Sequence, residues 1–330
     1  MRWFRQFRSR RAVDLAAVAL LGGAAVAAWT LFGCHGSSSC AAGSSVASAD
    51  VPFDGAKAFE YLKQLCAIGP RPSGSSGMAK QQQLLATHFR KLGAQIAYQK
   101  FRVRHPLDGS WVPMTNILIR WRPQSPTRVL LCAHYDTLPF PMEDRENPRG
   151  VFLGANDNAS GVAVLMELGR HLAAQKSGVG VDFVFFDGEE FRFRDGDRFF
   201  LGSEYFARAY LKNKPQPPYR WGVLLDMVGD KDLQIYQERN GLWWPDTREL
   251  AADLWAVAAK LGISEFIAKP KHEVDDDHVV LHNIAKIPCI DVIDFDYPAW
   301  HTQQDLPEQC SSESLGKVGR VISEWLKTVQ

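Results

Sequence analysis

The sequence predicts an α/β fold: one domain with a mostly parallel central sheet and helices on both faces. Three observations carry this. Strand-like apolar runs alternate with longer segments of helical spacing from Phe53 to the end. The run Val181 to Phe186 is wholly apolar but for Asp182, as in a buried strand. The length, 330 residues, suits one large α/β domain or two small ones, and no internal repeat divides it.

The elements follow in order. "DGAKAFEYLKQLCAIG" spaces its apolar residues helically and stops at Gly69-Pro70. "SSGMAKQQQLLATHFRKLG" is a second helix, opened by Ser and Gly and closed by Gly93. "MTNILIRW" and "TRVLLCAHYD" read as strands, and "NASGVAVLMELGRHLAAQ" as an amphipathic helix. "VDFVFFDG" is a strand, "SEYFARAYLKN" a helix and "RWGVLLDMVG" another strand. "DTRELAADLWAVAAKLG" is a helix capped by Asp246 or Thr247. "IPCIDVIDF" is the last strand and "SSESLGKVGRVISEWLKTV" the closing helix.

Before Phe53 the composition changes. Five arginines precede residue 12, and an apolar stretch about long enough to cross a bilayer follows. Basic before apolar predicts a signal sequence or membrane anchor over residues 1–33, with the rest exported, periplasmic or held at the membrane. Residues 34–52 are small and polar, a flexible linker to a catalytic domain over 53–330, taken as a monomer. Net charge is +1, which gives no reason to expect nucleic acid as a partner. The six cysteines include no CxxC spacing, so a cysteine zinc site is not expected. Cys132 and Cys289 lie in apolar runs and read as buried thiols.

In an open parallel sheet, ligands bind beyond the carboxyl ends of the strands. His134 and Asp136 follow "RVLLCA", and the next loop leads to Asp157 in "GANDNASG". Asp187, Glu189 and Glu190 follow "VDFVFF", and Asp226 follows "WGVLL". Trp300 and His301 follow the last strand. Singly, each has an ordinary explanation as a buried histidine, a helix cap or a strand end. Five candidate ligands at one end of one sheet form the ligand set of a catalytic zinc ion. "EVDDDHVVLHNI" adds a second acidic cluster before a short apolar helix. "PMEDRENPRG" reads as a surface loop flanking the site. Asn158-Ala159-Ser160 is a glycosylation sequon, but its place at the site argues against use.

Taken in order, "AHYDT", "GANDNASG", "FFDGEEF", "LGSEYFA", "LLDMVGD", "DDDH" and "WHTQQD" resemble the zinc exopeptidase superfamily of bacterial aminopeptidases and glutaminyl-peptide cyclotransferases. The resemblance runs from about Phe53 to the end and implies the phosphorylase-hydrolase-like fold of that superfamily. Its dinuclear aminopeptidases use five ligands, matched here by His134, Asp157, Glu190, Asp226 and His301. Its cyclotransferases keep those types but hold one zinc, through the positions of Asp157, Glu190 and His301. His134 and Asp226 would complete a second metal site in an aminopeptidase. Trp300 before His301, and Asp276-Asp277-His278, are similar to the cyclotransferase branch.

The resemblance therefore implies conversion of an N-terminal Gln of a peptide or protein to pyroglutamate, with release of ammonia. Glu189 would be the base, Asp226 and Asp276 would act on the reacting amide, and Trp300 and Tyr297 would wall the pocket. The alternative is an aminopeptidase, with Glu189 activating a water between two zinc ions. The chain departs from the animal cyclotransferases in places. The loop "FRFRDGDRFF" lacks their tryptophan, and Val162 stands where their disulfide partner of the Cys132 region would be. The segment before Trp300 is about one residue shorter.

Overall fold

The computed structural model describes residues 52–174 and 178–329. The expected leader over 1–33, and all but the last residue of the linker over 34–52, lie outside them. The described residues fall in one compact unit. No helix among them is long and apolar enough to cross a membrane.

Two helices, α1 (Gly55–Cys66) and α2 (Ser76–Lys91), come first. Asp54 and Ser75 cap them, each side chain accepting a backbone N–H at 3.0 Å. The strands are β1 (Gln95–Arg104), β2 (Trp111–Trp121), β3 (Arg128–His134), β4 (Gly180–Phe186), β5 (Tyr219–Asp226) and β8 (Cys289–Ile293), in the sheet order β1-β2-β4-β3-β5-β8. A short pair, β6 (Ile235–Gln237) with β7 (Phe266–Pro270), stands apart. The remaining helices are α3 (Gly161–Ala174), α4 (Leu201–Lys212), α5 (Arg239–Trp243), α6 (Arg248–Lys260), α7 (Asp277–Val280) and α8 (Ser312–Thr328).

The four strands β4-β3-β5-β8 run parallel, and β1 and β2 complete the sheet with antiparallel pairings. Strands β3, β4 and β8 are buried along their whole length, so both faces need apolar residues. One face packs α1, α3, α6 and α8 through Leu62, Leu165, Leu254 and Trp325. The other packs α4 and the segment after α7 through Phe206, Leu281 and Ala285.

Sequence reading omits β1. "QIAYQKFRVR" mixes charge with apolar residues because it is an edge strand, with polar side chains facing water. Of the two proposed caps of α6, the structure selects Thr247. Its hydroxyl donates to the carbonyls of Gly241 (2.7 Å) and Trp244 (3.0 Å) rather than accepting from the helix. The four cysteines among the described residues, Cys66, Cys132, Cys289 and Cys310, are buried and free.

Candidate active site

The site lies where the parallel strands end. Cys132 on β3 pairs with Leu224 on β5, so two residues further His134 and Asp226 share one face. Their side chains meet there, His134 Nε2 lying 3.4 Å from Asp226 Oδ1. Asp157 arrives on the turn Ala155–Ser160 that opens α3. Gly154 makes this turn: its φ is +59°, and a Cβ would stand 2.3 Å from the Asp157 carbonyl.

The acidic run after β4 separates into three roles. Gly188, at φ +78°, turns the chain between Asp187 and Glu189. Asp187 points back toward β2, accepting the Ser73 hydroxyl (2.6 Å) and the Thr115 amide (2.7 Å). Asp136 fixes the other two from behind, accepting the Glu189 and Glu190 amides at 3.1 Å each. Glu190 Oε2 accepts the Leu138 amide (2.8 Å), and its Oε1 lies 2.8 Å from His301 Nε2. Glu189 Oε2 is 3.9 Å from His134 Nδ1. Glu189 is 8% exposed against 1% for both Asp187 and Glu190, which makes it the least buried of the three.

His301 Nε2 also lies 3.3 Å from Asp157 Oδ2, and His134 Nε2 lies 3.1 Å from Asp157 Oδ1. His301 has a left-handed backbone, φ +56°, an uncommon conformation that concentrates at functional sites. Its ring stacks on Trp300, centroids 3.9 Å apart. The loop of residues 141–150 borders the site as expected: the Glu143 amide donates to the His301 carbonyl (3.1 Å), and Asp144 accepts the Gln303 amide (2.9 Å).

Asp276 caps α7, accepting the Asp277 amide at 2.5 Å. Asp276 and Asp277 are buried, whereas Asp275 is exposed. Tyr297, expected in the pocket wall, is only 5% exposed, and its hydroxyl donates to Asp305 Oδ1 (2.8 Å). Phe295 also stands against Trp300, centroids 5.6 Å apart, and both pack on the cluster that holds Tyr297. Asn158 is 1% exposed, with its side-chain nitrogen on the Leu225 carbonyl (2.8 Å), which leaves no room for a glycan.

Two further residues position the site without having been assigned a role from sequence. Asp136 is one. The other is Asp305, whose carboxylate accepts the Asn156 amide (2.7 Å), the Asp157 amide (3.1 Å) and the Tyr297 hydroxyl. Both lie inside quoted motifs, "AHYDT" and "WHTQQD". Only the folded backbone shows that they accept amide hydrogens rather than face the opening. Asp305→Ala is expected to weaken zinc binding about 10–100-fold, because the Asp157 turn loses its anchor. Zinc titration against a competing chelator would measure it, and an unchanged affinity would remove Asp305 from the site.

The electrostatics call for a cation. Burial, then the neighbouring Asp157, pushes the Glu190 carboxyl up to about 8. Burial opposes ionisation of Asp157, yet His134 and then His301 hold its carboxyl well below the usual range. Burial would lower the His301 imidazole, but Asp157 and Glu190 raise it to about 9. Burial, with Glu190 the strongest charge opposing ionisation, raises Glu189 well above the usual range. Burial raises Asp226 to about 6, and burial followed by Asp226 raises Asp276 to about 7.

The donor set fits zinc. Ligand atoms of His134, Asp157 and Glu190 lie within 4.8 Å of one another, all buried, and His301 Nε2 reaches both carboxylates. Two imidazoles and two carboxylates converging without a lysine or arginine among them suit a divalent borderline-soft ion.

A mostly parallel sheet with a histidine-carboxylate centre at its carboxyl edge defines a zinc exopeptidase-type protein. Residues 116–326 match the model of Peptidase family M28. The chain belongs to that family, as a glutaminyl cyclase-like member. It is similar to the crystal structure of Fimbriiglobus ruber glutaminyl cyclase: 39% identity, 85% of this chain and 97% of the other covered, TM-score 0.80. It is 24% identical to the glutaminyl-peptide cyclotransferase of Gloydius blomhoffii, over 76% of this chain and 75% of that one. A leucine aminopeptidase precursor from Bacteroides thetaiotaomicron shares the fold, with 28% identity, 85% and 99% coverage and a TM-score of 0.80.

Proposed function

We propose that this enzyme is a zinc-dependent glutaminyl-peptide cyclotransferase. It closes an N-terminal Gln of a peptide or protein onto itself, leaving pyroglutamate and ammonia. The observation that carries the reading is the match over 85% of this chain, at 39% identity, to a glutaminyl cyclase crystal structure, with the histidines and carboxylates gathered at the sheet edge. Asp226 and Asp276 are both buried beside this centre, each raised above the usual carboxylate range mainly by burial, which suits hydrogen bonding to an amide.

Asp157, Glu190 and His301 would hold one zinc ion, which when bound would supply Lewis-acid polarisation of the side-chain amide carbonyl. The residues of the chain do the rest. Glu189 takes a proton from the α-amine as the amine nitrogen bonds to the side-chain amide carbon. Glu189 then delivers that proton to the amide nitrogen as the carbon–nitrogen bond breaks and ammonia leaves. Asp226 and Asp276 orient the reacting amide by hydrogen bonds. Trp300 and Phe295 wall the substrate side chain and exclude water, which protects the intramolecular attack from hydrolysis.

The aminopeptidase reading keeps one supporting observation: His134 Nε2 lies 3.1 Å from Asp157 and 3.4 Å from Asp226, where donors for a second ion converge. A paired assay separates the two. Ammonia released from a Gln-peptide at about one zinc per chain is the expected result. Amino-acid release from a Leu-anilide at two zinc ions per chain, without cyclisation, would replace this proposal with the aminopeptidase. The arginine-rich start and the apolar stretch that follows support export of the catalytic domain across a membrane or attachment to it.

A further inference from the structure

α7 carries a buried group that the reaction above does not use. His278 is 0% exposed, with Nε2 3.3 Å from Glu238 Oε2 and Nδ1 3.8 Å from Asp291 Oδ2. These are ion-pair separations; neither ring nitrogen makes an aligned hydrogen bond to a protein atom. Glu238 is a fixed anion. As the cap of α5 it accepts the Asn240 amide (2.6 Å) and the Gly241 amide (2.8 Å), and the Val274 amide approaches to 3.3 Å. Burial opposes its ionisation, but His278, then these amides, hold the carboxyl below the usual range.

Asp291 links this pair to the reaction centre. It lies on β8 opposite Leu224 of β5, and Asp226 opposite Ile293, so Asp291 sits one row beneath Asp226 on the same sheet face. The groups facing His278 are Glu238 from the start of α5, Asp291 from β8 and Asp276 from its own segment, with the Trp244 ring 5.9 Å away. Burial, then Asp276 and Asp226, raises the Asp291 carboxyl well above the usual range, so it stands as a neutral acid close to both. The imidazole, set against Glu238, stands beside that acid, 3.8 Å away.

We infer that Glu238 and His278 form a positioning dyad that orients Asp291 and, through it, holds the Asp276–Asp226 pair beside the reacting amide. The inference rests on the cyclotransferase reading of Asp226 and Asp276. The dyad touches no substrate; it acts by fixing the acids that do.

The test is a double-mutant cycle on the zinc-loaded enzyme with a Gln-peptide. His278→Asn and Glu238→Gln are each expected to lower kcat by about tenfold or more, with KM within about twofold and zinc content unchanged. Combining His278→Asn with Asp291→Asn is expected to cost no more than about twofold beyond Asp291→Asn alone, since both act through one chain of contacts. Additive losses, or kcat and KM degraded together with loss of zinc, would overturn the dyad. Should His278→Asn fail to fold, Glu238→Gln carries the same requirement, because its remaining side-chain oxygen still accepts one of the two α5 amides. Wild-type enzyme is scored first. No ammonia from it would defeat the cyclotransferase reading, whereas active wild type with unchanged variants would defeat the dyad alone.

Discussion

Glu189→Gln is expected to cut turnover of a Gln-peptide by about 10²–10⁴-fold while zinc content stays at its wild-type level. The two adjacent glutamates make the argument. Glu190 lies on His301 at 2.8 Å and on the Leu138 amide at 2.8 Å, inside the cluster that fits the metal. Glu189 is less buried, and the basic group beside it is His134, 3.9 Å away. An amide of the same size keeps the shape of the site but cannot accept the proton of the attacking amine. Glu190→Gln is expected to act differently, losing metal and turnover together. Burial raises the Glu189 carboxyl well above the usual range, so its ionised form is costly in the fold. The Gln variant should accordingly unfold at a temperature no lower than wild type at neutral pH. Ammonia release, zinc analysis and a thermal scan on one preparation make the check. Turnover within a few-fold of wild type would remove Glu189 as the proton carrier.

The sequence made the candidate ligands legible because each stands near where a strand stops. The apolar runs ending at His134, Phe186 and Asp226 are strands buried on both faces, and the chemistry lies just past them. Strand β1 was not legible: at the sheet edge, solvent removes the apolar pattern that marks a strand. Within the site, residue type did not distinguish ligand from support. Asp136, Asp187 and Asp305 carry the same carboxylate as Asp157, but each is turned onto backbone amides or a hydroxyl. Tyr297 shows the same difficulty from the apolar side. Its ring packs in the cluster of Met227, Val274 and Ile293, and its hydroxyl goes to Asp305, a direction that residue type alone does not show. Sequence thus indicates which chemistry is present at the edge, and the hydrogen bonds of the loops decide which member performs it.

Removing the metal is expected to destabilise the enzyme in a pH-dependent way. Glu190, Asp226 and Asp276 have folded-state values of about 8, 6 and 7, all above the value near 4 of an unfolded carboxyl. A carboxyl whose folded value is raised contributes stability that is complete below about pH 4 and is lost as pH rises through the folded value. His301, raised to about 9, acts in the same direction over a higher window: its contribution is complete below about pH 6.5 and fades toward pH 9. Asp157 has the opposite sign, but its depressed carboxyl places that loss in strong acid, outside the working range. Metal-free protein should therefore lose stability steadily between about pH 5 and 8. Zinc reverses the trend, because its ligands bind as carboxylates and neutral imidazoles and its affinity grows as protons leave. The gap in unfolding temperature between zinc-loaded and chelator-treated enzyme is expected to widen by roughly 5 °C or more from pH 5 to pH 8. Activity should vanish with the chelator and return with added zinc. A gap of equal size at both pH values would show that no ion draws on these carboxyls. The ion would then lie elsewhere, and the histidine and carboxylates at the sheet edge would need another explanation.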